Sequence, residues 1–292
     1  MTEVRPARPD QFEEIYPLLL EFSSPTMERD DWQRMLFDLP WSVEEPHRGY
    51  ILYEGAKAVG FLGTIFSRRE IGGRAHRFCN LSSWIVRDSH RGAALQLVLP
   101  VLALKSHTIV NLTASPGAHE IFSSLGFRTL ETAQVLLPPF ARPLEFALRF
   151  GSSVATRAEA IRPHLDDDGR RILDDMAGTR ATQILVRRGR RQCHVVATLS
   201  PWKGGRKLAH IQYASDWEFL WARPGDVSLA LLRTCGTLGL RLDARHVRRL
   251  GPRPALAIER ALAQPTLYRP AGPEITPELV DGLYTELVGQ RW

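Results

Sequence analysis

The segment WIVRDSHRGAAL, residues 84–95, joins an apolar run to a polar loop and then to small residues that open a second apolar run. If a strand ends at Val86 and a helix begins near Gly92, the junction offers unpaired backbone N–H groups at the positive end of a helix dipole. Pyrophosphate binds in such a setting. Gly92, Ala93 and Ala94 are small enough for phosphate oxygens to approach the backbone, yet most strand–loop–helix junctions bind nothing. A second segment, SPGAHEIFSSLGF at 115–127, follows the next apolar run. A third set lies on the strand itself. If Arg74–Val86 is regular, His76, Asn80, Ser82 and Trp84 share one face and Cys79 faces the other way as a buried thiol. His76 can then act as a base, directly or through ordered water; alternatively, these are polar residues on the open face of a sheet. No carboxylate lies on that strand. His119, one helical turn before Phe122, is an alternative acid. Among nine histidines no pair stands at a metal-binding i, i+4 spacing, and Cys79, Cys193 and Cys235 are scattered without metal spacing.

Taken together, the two loop segments resemble the GNAT N-acetyltransferase superfamily. Val86 and Arg91–Gly92 match its Val–x–x–x–x–Arg–Gly phosphate loop, and Ser115, Ala118, Phe122 and Gly126–Phe127 match the spacing of its following helix. The resemblance covers nearly half the chain. It implies acetyl-CoA or another acyl-CoA as cofactor, with Ile85 and Val86 pairing with the pantetheine arm by backbone hydrogen bonds. Arg91, Gly92, Ala93, Ala94 and Leu95 would wrap the pyrophosphate, and Ser115, Ala118 and Phe122 would line the other side. The amide of Trp84 would stabilise the oxyanion of a tetrahedral intermediate. Three positions depart from the pattern. Ala94 and Gln96 stand where glycine or a small residue is usual, and Phe122 where many members place a tyrosine that protonates the leaving thiolate.

The elements needed to hold these residues are readable around them. Val4–Ala7 reads as a strand and Asp10 as the start of a helix with Phe12, Ile15, Tyr16 and Leu19 on one face. Glu28–Phe37 reads as a second helix. Tyr50–Tyr53 and Ala58–Phe66 flank the turn Glu54–Gly55, and Gly72–Gly73 leads into Arg74–Val86, which predicts a meander. Ala93–Ser106 is expected to be helical with a break at Pro100, Thr108–Thr113 a strand, Pro116–Leu125 a helix and Phe127–Leu137 a strand. Pro138, Pro139 and Pro143 mark a boundary. Beyond it a helix starts near Asp166, a hairpin pattern recurs at Gln183–Val186, Cys193–Leu199 and Leu208–Tyr213, and helices are expected over Val227–Leu238, Leu256–Ala263 and Pro277–Val288.

The resulting expectation is an α/β (α+β) fold of GNAT type, with a mixed, mostly antiparallel sheet flanked by helices. Its domains are 1–137, a helical linker region 138–180, and a degenerate GNAT-like copy 181–292. The expected function is transfer of an acyl group, acetyl foremost, from acyl-CoA to an amine or hydroxyl of a small molecule or saccharide intermediate; the alternative is a CoA-binding scaffold without turnover. An acyl carrier protein thioester is an alternative donor. With no apolar leader at the N-terminus and no apolar run long enough for a bilayer, the expected compartment is the cytoplasm, without membrane association. The net charge of +6 comes almost wholly from arginine, since only four of the 38 basic residues are lysines. The densest cluster, Arg187–Arg191, reads as a solvated hairpin tip without interleaved aromatics, so nucleic acid is not an expected partner.

Overall fold

The structure is a computed structural model that describes residues 1–22, 27–139, 141 and 152–289; Pro143, one of the three boundary prolines, lies outside the described residues. In chain order the strands are β1 (Thr2–Pro6), β2 (Gly49–Glu54), β3 (Lys57–Ile71), β4 (Arg74–Val86), β5 (His107–Asn111), β6 (Arg128–Leu137), β7 (Ser152–Ala155), β8 (Thr182–Arg188), β9 (Arg191–Pro201), β10 (Lys207–Ala214), β11 (Leu240–Asp243) and β12 (Ile258–Arg269). The α-helices are α1 (Phe12–Leu19), α2 (Arg29–Leu36), α3 (Leu99–Leu102), α4 (Pro116–Ser124), α5 (Ala158–Ile161), α6 (Asp167–Ala177), α7 (Trp217–Ala222), α8 (Pro224–Cys235) and α9 (Glu286–Gly289). They divide between two compact units, neither of them one continuous stretch. Unit 1 holds residues 1–130, 266–276 and 284–289; unit 2 holds 131–265 and 277–283.

In unit 1, β1 to β4 form an antiparallel succession, β5 runs parallel to β4, and Leu267–Arg269 of β12 pairs antiparallel with β5. The apolar run along β3 is buried continuously from Ala58 to Ser67, as a strand covered on both faces must be. On one face Leu52, Leu62, Phe66, Cys79, Leu81 and Ile109 pack with Phe122 of α4 and with Leu97 and Val101. On β3 also lie α1 and α2, and Phe37 stacks on Phe61 with ring centroids 6.3 Å apart.

Unit 2 repeats this connectivity. β7 to β10 are an antiparallel succession, β11 runs parallel to β10, and β6 pairs antiparallel with β11 through Gln134–Leu137. Its core gathers Ile184, Val186, Val195, Ile211, Leu220, Leu231 and Leu242. The helix start read at Asp166 is present: its carboxylate caps α6 by accepting from the Gly169 N–H at 2.8 Å.

Three expected helices take other forms. Asp88–Leu97 is a 3₁₀ segment, and only Leu99–Leu102 of the following stretch is α-helical, with Pro100 inside its first turn. The stretch Leu256–Ala263, all good helix formers, lies within or just before strand β12. There pairing with neighbouring strands, β5 through Leu267–Arg269 among them, overrides local propensity. Of Pro277–Val288, only Pro277–Leu279, as a 3₁₀ turn, and the beginning of α9 are helical.

Candidate functional site

Strand β4 is not regular. Gly63 pairs with Ser82 and Phe61 with Ile85, so Ser83 and Trp84 together oppose Leu62 alone. This is a β-bulge, and Ser83 has the left-handed backbone that goes with it, φ 56°. Glycine on β3 makes room beside it: a Cβ on Gly60 would stand 2.9 Å from Val86 Cγ2, and one on Gly63 3.0 Å from the Ser82 carbonyl oxygen. The extra residue reverses the alternation. Trp84 therefore joins Cys79, Leu81 and Val86 on the apolar face, where its ring lies 5.3 Å from that of Phe122. The shared face expected for His76, Asn80, Ser82 and Trp84 is thereby corrected: Trp84 and Cys79 are together, while Asn80 and Ser82 face the other way. Nor is that other face open to solvent at its centre, because Asn80 and Ser82 are both buried. His76, nearer the start of the strand, sits with its Nδ1 4.0 Å from Glu274.

Beyond Asn80 and Val110 the parallel pairing of β4 and β5 stops, although β4 runs on to Val86. Residues 81–86 thus have β3 on one side and, among the described strands, no ladder partner on the other. Their backbone groups on that edge are available to a ligand. Ile85 and Val86 are half-buried there. Trp84 Nε1 is a buried donor without a hydrogen-bond partner among the described residues.

The loop after β4 carries Arg91, singled out in the sequence, and beside it His90. Arg91 is exposed and pairs with Asp88 at 2.7 Å, while His90 pairs through Nε2 with Glu54 at 3.0 Å and through Nδ1 with the Ser89 hydroxyl at 2.8 Å. Around Gly92 the space is open, Ala93 packs on the core, and Leu95 is half exposed. The Gln96 side chain accepts from the Thr2 hydroxyl at 3.2 Å, so it is turned toward β1. Gly92 lies inside the 3₁₀ segment Asp88–Leu97 rather than at the first turn of an α-helix, which corrects the helix start expected there. Across from it, Ser115 caps α4 by accepting from the Ala118 N–H at 3.3 Å, and Phe122 is fully buried against Trp84 and Phe127. His119 Nε2 is buried and finds no partner among the described residues.

The carboxylate missing from β4 comes from the end of the chain. Glu286, at the start of α9, is fully buried; its Oε2 accepts from Asn80 Nδ2 and its Oε1 from the Thr113 hydroxyl at 2.8 Å. Burial pushes its pKa up, opposed by hydrogen bonds from Thr113, its own backbone N–H and Asn80, all of them neutral. Asn80 Oδ1, beside it, is a buried acceptor without a partner among the described residues. Sequence reading missed Glu286 and Thr113. The acid stands 206 residues from Asn80 in a segment read as plain helix, and nothing local ties the two together.

No family model matches the chain, and no curated protein matches it in sequence. Solved structures do match. A GCN5-related N-acetyltransferase from Kribbella flavida superposes with a TM-score of 0.59 at 14% identity, over 92% of this chain and 71% of that one. One from Anabaena variabilis gives 0.58 at 10% identity, over 93% and 73%. Eis1 from Mycobacterium abscessus gives 0.52 at 14% identity, over 92% and 74%. The chain has the fold of the GCN5-related N-acetyltransferases.

Proposed function

We propose that the chain is an acyl-CoA-dependent acyltransferase, moving an acyl group to an amine or hydroxyl of a small molecule, with unit 1 holding the donor. The unpaired edge of β4 from Leu81 to Val86, set off by the bulge at Ser83, carries this reading. A pantetheine arm has amides that can continue the ladder there through Ile85 and Val86. The Trp84 N–H is assigned to the thioester carbonyl, where negative charge develops. Residues Arg91, Gly92, Ala93, Ala94 and Leu95 are assigned to the pyrophosphate, and Ser115, Ala118 and Phe122 to the opposite wall. With Phe122 in place of a hydroxyl, the departing thiolate takes its proton from water, and positioning carries much of the rate. Unit 2, with the same strand connectivity, is read as a second copy without the phosphate-loop motif. The cytoplasm is the proposed compartment, and a carrier-protein thioester remains the alternative donor.

A second reading, CoA binding without turnover, is favoured by the ion pair that holds Arg91 to Asp88 and by the lack of a hydroxyl at Phe122. Thermal melts with acetyl-CoA and longer acyl-CoA esters test the common ground. A ligand at a hundred times its Kd stabilises the native state by about 2.7 kcal/mol, so a clear rise in Tm is expected. No rise with any CoA thioester at millimolar concentration removes both readings. A rise without thiol release over a panel of acceptors selects the second.

A further inference from the structure

We infer that unit 2 holds a site for a carboxylate-bearing small molecule, bound by the guanidinium of Arg241. The inference goes beyond the acyltransferase reading and does not depend on it. Ser200 of β9, His210 of β10, and Arg241 and Asp243 of β11 all lie in unit 2. In the strand register Ser200 stands opposite Leu208, and His210 stands beside Arg241. Alternation therefore puts the four side chains on one face of the sheet. The other face carries Ala209, Ile211, Leu240 and Leu242 of the apolar core.

The charges on that polar face do not balance. Asp243 is already committed: its Oδ2 lies 2.6 Å from Arg245 Nη1 and its Oδ1 3.6 Å from His210 Nε2. Burial holds the His210 ring below its ordinary pKa, so it is neutral at pH 7 and adds no charge. Nearby, Arg248 and Glu131 pair with each other at 3.1 Å. Among the described residues, the charge of Arg241 is left without a carboxylate of its own. Burial pulls its pKa down, with the field of Asp243 opposing. Its hydrogen bond runs from Nη1 to Ser200 Oγ at 3.2 Å, while Nε is buried without an acceptor among the described residues.

Nε and Nη2 form one edge of the guanidinium, with two parallel N–H groups set for the two oxygens of a single carboxylate. A carboxylate there supplies an acceptor to each N–H and neutralises the leftover charge, as a buried cation requires. A phosphate dianion overshoots by one charge and brings more oxygens than the edge has donors. An amide or alcohol offers one oxygen and no charge. Arg241, His210 and Asp243 each keep some exposure, which leaves the face reachable from solvent. The carboxylate belongs either to an acceptor of the acyl group or to a separate effector, and the chemistry that recognises it is the same.

The test uses the full chain in thermal melts with acetate, benzoate and the standard amino acids, each set against its primary amide, and with inorganic phosphate. A saturable rise in Tm with at least one acid, and none with its amide, is expected. Arg241→Gln removes both charge and fork, and is expected to weaken that acid's Kd about tenfold or more while the unliganded chain still melts cooperatively. Should that variant fail to fold, Arg241→Lys carries the test, because it keeps the charge and loses the fork. Weaker binding by the lysine variant supports the inference; binding equal to the parent's overturns it. No rise with any acid at millimolar concentration, an equal rise with the amide, or an Arg241-dependent rise with phosphate alone also overturns it. Mass spectra after incubation with acetyl-CoA then separate the two sources. An acid recovered acylated is the acceptor, and one recovered unchanged is an effector. Failure of acetyl-CoA itself to raise Tm removes the donor reading and leaves this site standing.

Discussion

Ser83 carries the geometry of the donor site on one unfavourable backbone angle, φ 56°. An L-residue in that region costs about 1–2 kcal/mol, and more when the side chain is branched at Cβ. Ser83→Val is therefore expected to lower stability by about 2 kcal/mol in denaturant melts and to abolish the acetyl-CoA-induced rise in Tm. Ser83→Gly keeps both near the parent's values; a valine variant with unchanged ligand response would separate the bulge from binding. Nothing in the sequence marks Ser83, because serine suits a regular strand equally well, and so strict alternation put Trp84 on the wrong face. Gly60 and Gly63 were the only local sign of a close approach. The phosphate-loop residues were legible because they are contiguous; Glu286 was not, since its meaning lies in residues brought to it by the fold.

At the scale of elements, the meander of β2 to β4 and the recurring hairpins β8 to β10 were legible from alternation and from glycine turns. β12 was not, because Leu256–Ala263 has the composition of a helix and long-range strand pairing, that of Leu267–Arg269 with β5 among it, makes it a strand. Leu267 is fully buried in the core of unit 1. Leu267→Ala should cost about 2–5 kcal/mol, read from denaturant melts, and a change under about 0.5 kcal/mol would contradict the role of β12 in that core. Unit 2 carries a second marker. Burial lowers His194 to about 4 and His246, stacked on Trp217 with ring centroids 4.2 Å apart, to about 3. The unfolded chain therefore binds more protons than the native one between about pH 6.5 and those values, and stability falls as pH falls. The slope is up to about 1.4 kcal/mol per pH unit for each histidine. His246→Gln should flatten the curve by one histidine's share, and equal slopes in variant and parent would contradict its burial as a neutral ring. Asp243, held well below the usual carboxylate range by Arg245 and His210, adds its loss only in more acid solution.

For the molecule as a whole, the positive net charge is partly met by acidic and polar neighbours at its densest cluster. Within the arginine-rich turn, Arg191 pairs with Asp216 at 2.6 Å, Arg187 bonds His164 at 2.7 Å and Arg188 lies 3.8 Å from Asp226. A duplex oligonucleotide should not be retained in filter binding at about 0.15 M ionic strength; retention would mean that the turn keeps more positive field than these pairs allow. Fold class was legible at this scale because element order survives where single boundaries do not. The exchange of segments between the units was hidden, since no local pattern records which partner a strand will choose. The claim on which the functional account turns is that the edge of β4 between Leu81 and Val86 receives a pantetheine arm. Amide hydrogen exchange with and without acetyl-CoA tests it most directly. Slower exchange at Trp84, Ile85, Val86 and across residues 91–95 is the predicted result, and unchanged exchange there at a saturating ligand concentration would contradict it.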